Sequence, residues 1–205
     1  VTAVERRAAP SKDETALLAP FAGLGVERIA VPQTPAQFDA AADEILAAGV
    51  AGFDTEAKPT FAAGQASDGP HTVQFALADK AFIFQPQQAG SRVALARLLE
   101  SEALLKVGFG LQSDRSQIQA KLGLTMRSVL DLDGAFRQLG YPKAIGVRAA
   151  VGVMLGQRFH KSKKTTTSNW AQPRLSERQL LYAANDAFAA LRVWQALRLA
   201  GVALP

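Results

Sequence analysis

The sequence predicts an α/β domain, a mixed sheet with helices on both faces. Three observations predict it. Short apolar runs joined by tight links fill residues 50–84, strand-type and helix-type segments alternate up to residue 132, and helical spacing dominates from residue 133 onward. Closely linked strands give the sheet an antiparallel start, and strand–helix alternation adds parallel strands to it.

Taken in order, residues 1–28 read as an N-terminal arm, flexible around Arg6-Arg7-Ala8-Ala9-Pro10-Ser11-Lys12, and residues 29–205 as a single domain. Thr34-Pro35-Ala36-Gln37 is a helix start: threonine suits the N-cap, proline the first helical position, and Gln37 the reciprocal place in a capping box. Phe38, Ala41 and Ile45 keep helical spacing until Gly49. Strands follow at 50–56, at 72–77 after a Gly/Pro/Ser-rich loop, and at 81–84 after an Asp79-Lys80 turn. A helix over 91–100, a strand over 104–109, a helix over 113–122 and a strand over 128–132 complete a five-stranded sheet. The last helix runs from about Ser176 to Ala200, opened by the capping box Ser176-Glu177-Arg178-Gln179.

Composition narrows the chemistry. With 205 residues and 48% hydrophobic side chains, the chain can bury a substantial core and is not a disordered tail. The absence of cysteine excludes disulfides, thiolate zinc sites, iron–sulfur clusters and a cysteine nucleophile. With only two histidines, any metal here is expected to be a hard cation held by carboxylates. No signal peptide is visible, and no apolar run approaches the roughly 18–20 residues of a membrane span, so a cytoplasmic protein without a membrane partner is expected. The net charge of +5 permits a polyanionic partner.

Three acidic motifs carry the chemistry. Asp54 and Glu56 lie two apart on a strand and so share one face. Carboxylates that close repel each other, and either a bound cation offsets this or the pair is a solvated strand end. Asp114 opens a helix, where the helix dipole alone favours an acid. Gly108 and Gly110 precede it; the third glycine of a dinucleotide-binding turn is replaced by Ser113, so the pair reads as a tight bend at a strand end. Tyr182 and Asp186 are four apart on one helix face, among alanines small enough to let that helix lie close to a sheet.

Together these motifs resemble the DEDDy class of 3′–5′ exonucleases, whose members carry four acids and a tyrosine and include ribonuclease D and the exonuclease domain of the Werner helicase. Phe53-Asp54-Thr55-Glu56 resembles the first motif, Val107-Gly108-Phe109-Gly110-Leu111-Gln112-Ser113-Asp114 the second, and Tyr182-Ala183-Ala184-Asn185-Asp186-Ala187 the third. Ser168-Asn169-Trp170 is most similar to the Werner-type branch. The resemblance implies a ribonuclease H-like fold and hydrolysis of phosphodiesters from single-stranded 3′ ends of DNA or RNA, releasing nucleoside 5′-monophosphates. It also implies two divalent cations, Mg²⁺ or Mn²⁺, one held by Asp54, Glu56 and Asp186 and the second by Asp54 and, through water, Asp114. Tyr182 would orient the attacking water.

The basic residues complete this reading. Between Arg158 and Arg178 lie six basic side chains against the single acid Glu177. Lys161, Lys163, Lys164 and Arg174 suit phosphate contacts, as does Lys58 beside the first motif; the plain alternative for each is a solvated surface. Trp170 suits either base stacking or burial. Besides an active exonuclease, the sequence is compatible with a nucleic-acid-binding module without catalysis, or a subunit active only in a larger complex.

Overall fold

The computed structural model describes residues 6–60 and 67–204, so part of the loop after the first long strand and the start of the N-terminal arm lie outside the described residues. Among the described residues the main sheet has six strands, in the spatial order Ile29–Ala30, Ala81–Phe84, Thr72–Ala76, Val50–Glu56, Leu105–Gly108 and Val129–Asp131. They are β2 (Ile29–Ala30), β3 (Val50–Glu56), β4 (Thr72–Ala76), β5 (Ala81–Phe84), β6 (Leu105–Gly108) and β7 (Val129–Asp131). The five predicted strands are β3 to β7, and the two-residue β2 adds a parallel edge beside β5. β3 is central, antiparallel to β4 and parallel to β6, which gives the sheet its mixed character.

The helices form where local signals place them. In α2 (Pro35–Ala48), Thr34 and Gln37 make the reciprocal capping box, and the helix stops at Gly49 with φ +69°. α2 and α3 (Ser91–Leu99) pack on one face around Phe38, Phe53, Phe75 and Phe84. The rings of Phe53 and Phe75 meet edge to face at 5.3 Å, and those of Phe75 and Phe84 at 5.8 Å, a preferred aromatic arrangement. α4 (Gln112–Leu122) follows β6, and α5 (Asp133–Gln138) and α6 (Gly146–Leu155) follow β7. α7 (Lys163–Thr166) precedes the 23-residue α8 (Glu177–Leu199), which is capped by Ser176 and Gln179 and crosses the other face of the sheet.

Close approach of α8 to β3 depends on small residues. Ala183, Ala184, Ala187 and Ala190 are buried on the helix. A Cβ at Gly52 would lie only 1.9 Å from the carbonyl oxygen of Ala187. Gly52→Ala therefore has to push the helix away from the strand that carries Asp54. We expect it to destabilise the protein by about 1–3 kcal/mol, read as a lower urea midpoint; an unchanged midpoint would show that the helix can shift without loss.

The arm read as flexible is instead packed over its described residues. Ser11 and Glu14 form a capping box on α1 (Lys12–Ala16). β1 (Ala19–Pro20) pairs in parallel with β8 (Gln157–Arg158). The Phe21 ring meets Phe159 at 5.4 Å and Phe188 at 6.0 Å. These partners lie more than a hundred residues away, which is why local composition reads as an unattached segment. Among the described residues, no helix is long and apolar enough to cross a membrane.

Candidate active site

Alternation along β3 sends Phe53 into the aromatic core and turns Asp54 and Glu56 toward α8. Asp186 comes from the third turn of α8, and its side chain is only 2% exposed. Oxygens of Asp54, Glu56 and Asp186 all lie within 4.8 Å of one another. Asp54 and Asp186 border a cavity of about 360 Å³ that is also lined by Phe109, Asp133 and Lys161.

Asp114 is held apart from this trio. It sits in the first turn of α4 and accepts a hydrogen bond from the Thr55 hydroxyl. The turn before it is shaped by Gly110, at φ +66°, and by Asp131, whose carboxylate accepts from the backbone N–H groups of Gly110 and Leu111 at 3.2 and 2.9 Å. Thr55 and Asp131 thus fix where Asp114 lies. Neither emerges from the sequence, because each acts through a partner distant along the chain; an acid closing a strand beside a glycine turn is the only signal Asp131 offers.

Electrostatics mark the cluster. Burial, and then the charge of Asp186, push the Asp54 carboxyl well above the usual carboxylate range. Glu56 is pushed up to about 8, first by burial and then by Asp186. Burial also raises Asp114 and Asp186. Lys161 reaches into the site: its ammonium lies 2.6 Å from Asp186 Oδ2, while the side chain remains 38% exposed. Burial alone lowers an ammonium, but Asp186 and Asp54 outweigh it and leave Lys161 above its ordinary value. The same ammonium stands 5.6 Å from the centre of the Tyr182 ring. The Tyr182 hydroxyl shares a 2.8 Å hydrogen bond with the Thr166 hydroxyl, and burial followed by Asp186 raises its pKa.

The other basic residues are arranged differently. Lys58, Lys163, Lys164 and Arg174 are exposed, whereas Lys161 is the one that enters the acidic cluster. Trp170 is fully buried and its indole N–H donates to Thr166 O at 3.2 Å, so packing, and not base stacking, is the role its position serves.

The acids suit a hard divalent cation. The donor set is entirely oxygen, and apart from the Lys161 ion pair both Asp186 oxygens are buried without a hydrogen-bond partner. A cation would satisfy them and offset the mutual repulsion.

Known proteins carry the same plan. The 3′-5′ exonuclease family profile matches residues 29–201. A 3′-5′ exonuclease of Arabidopsis thaliana is 30% identical over 152 residues, covering 72% of this chain and 52% of the relative, so the chain spans about half that protein's length. The Aedes aegypti Nibbler EXO domain superposes with a TM-score of 0.72 at 24% identity, over 88% of this chain and 93% of that domain. Trypanosoma brucei RNase D in complex with RNA U12 gives 0.72 at 20% identity, over 82% and 62%. The two structural likenesses show a shared ribonuclease H-like fold. With the profile spanning most of the sequence, the chain belongs to the 3′-5′ exonuclease family.

Proposed function

We propose that this protein hydrolyses phosphodiester bonds at nucleic-acid 3′ ends with two divalent cations, Mg²⁺ or Mn²⁺, and releases nucleoside 5′-monophosphates. The observation that carries this reading is the convergence of Asp54, Glu56 and Asp186 within 4.8 Å. Asp54, Glu56 and Asp186 would hold one ion, and Asp54 with Asp114 the other. When bound, such ions lower the pKa of water and stabilise charge developing on phosphate oxygens. The RNA held by the T. brucei relative supports a nucleic-acid substrate.

The chain's own residues do the rest. Tyr182 stays protonated near neutral pH, because its pKa stands above a value already near 10. It therefore acts as a hydrogen-bonding group that positions the attacking water, and Thr166 fixes its hydroxyl. Lys161, Lys163, Lys164, Arg174 and Lys58 supply the positive charge that draws a polyanionic strand toward a carboxylate-rich site.

Tyr182→Phe keeps the ring and removes the hydroxyl. We expect kcat to fall on the order of 10- to 100-fold, below the reach of a full general base, with KM nearly unchanged. Equal rates would remove Tyr182 from the reaction.

The function itself is tested with 5′-labelled single-stranded DNA and RNA, incubated with Mg²⁺, with Mn²⁺ or with chelator. The reading predicts a ladder shortening from the 3′ end, 5′-monophosphate products and no cleavage in chelator. Internal cuts, 5′-end loss or metal-independent cleavage would defeat it.

A further inference from the structure

We propose that a second cavity, beside Tyr182 and separate from the acidic one, binds a nucleotide unit through its phosphate and base; this rests on the exonuclease reading above. The cavity measures about 330 Å³, within the roughly 300–1,000 Å³ range of small-ligand sites. His160 and Ser162 line it, whereas Lys161 between them lines the acidic cavity, so this short segment separates the two. Among the described residues that line it, Tyr182 is the only one proposed to be catalytic.

The lining points to one ligand chemistry. Arg178 contributes positive charge, as does Arg158, one of whose guanidinium nitrogens donates to Ala16 O at 2.8 Å, and among the described residues no carboxylate lines the cavity. Guanidinium groups match phosphate oxygens in pairs. Phe21, Phe159, Leu181 and Tyr182 contribute an apolar and aromatic surface, of the kind on which a base packs. Phosphate and base together make a nucleotide.

One wall of this cavity comes from residues that precede the family match. Pro20, Phe21 and Gly23 precede residue 29, where the family match begins. They are held in place by the β1–β8 pairing and by Asn185, which accepts from Leu24 N at 2.6 Å and donates to Leu24 O at 3.1 Å. A Cβ at Gly23 would lie 2.3 Å from Asn185 Oδ1, so the segment is seated closely. The pocket is thus formed between the N-terminal segment and α8.

Binding is measured in chelator, where no cleavage is expected, using a fluorescent single-stranded oligonucleotide in one arm and 5′-AMP in the other. Arg178→Glu reverses one of the two charges, Leu181→Trp fills the cavity, and Arg192→Glu makes the same charge change elsewhere on α8. We expect the first two to weaken binding about 3- to 10-fold with melting curves like wild type, and Arg192→Glu to have a smaller effect. Loss confined to the oligonucleotide identifies a nucleotide of the strand; loss in the 5′-AMP arm identifies the released product. Unchanged affinity for both ligands in both pocket variants, or an equal loss in Arg192→Glu, overturns the proposal. Failure of the exonuclease reading shows separately, as an absence of metal-dependent 3′ shortening by the wild-type protein.

Discussion

Asp54→Ala should leave a folded protein whose metal-dependent shortening of a labelled strand is at least about 1,000-fold slower, the upper end of what a single group stabilising charge in a transition state supplies. Asp54 is the one residue assigned to both ions, so its removal affects both. The expected effect on stability has the opposite sign. Asp54 is raised by burial and by the neighbouring Asp186 and Glu56 charges, so its carboxylate is held against desolvation and repulsion. Removing it relieves both, and in chelator the variant should melt at or above the wild-type temperature. This pairing separates lost chemistry from lost structure. A variant that degrades the strand at the wild-type rate would show that the site lies elsewhere.

Lys161→Met should destabilise the protein in chelator, and more at pH 8 than at pH 5. Removing one partner of a buried ion pair costs about 3–5 kcal/mol; because Lys161 is 38% exposed, solvent screening reduces this to about 1–3 kcal/mol. For a chain of this length that is a fall of about 3–10 °C in melting temperature. The pH dependence follows from the direction of the carboxyl shifts. Asp186 is already raised by burial, and losing Lys161 removes the charge that holds it down. A raised carboxyl binds its proton more tightly in the folded state than in the unfolded chain. Stability is therefore retained below its ordinary pKa and lost as pH rises toward the folded value. Glu56, at about 8 against an ordinary 4.5, loses its share over that same interval. Lys161 and a divalent ion would draw on the same Asp186 carboxylate, so Mn²⁺ should raise the melting temperature of the variant more than that of wild type. Equal melting of the two proteins at pH 8 in chelator would show that the ion pair contributes nothing.

Much of the architecture was legible because its determinants are local. The capping boxes at Thr34 and Ser176 place helix starts within a residue or two, since donor and acceptor lie three residues apart. The strands β3 to β7 follow from short apolar runs and the turns between them. The candidate acids stand out for the same reason: two-residue spacing on a strand and four-residue spacing on a helix specify a shared face.

What stayed hidden depends on groups distant along the chain. Asp186 meets Asp54 only because Gly52 and the alanines of α8 let helix and strand backbones come together. Lys161 looked like one of several surface lysines, yet it is the one whose ammonium pairs with Asp186, while Lys163 and Lys164 remain exposed. Trp170 had two compatible readings, and its complete burial separates them. The N-terminal segment looked unattached because its anchors, Arg158, Asn185 and Phe188, lie far along the chain. The sequence by itself determined the elements and the acids they carry, through interactions between near neighbours. The tertiary structure alone decided which charges meet and which segments close over them, because those contacts form only once the core has packed.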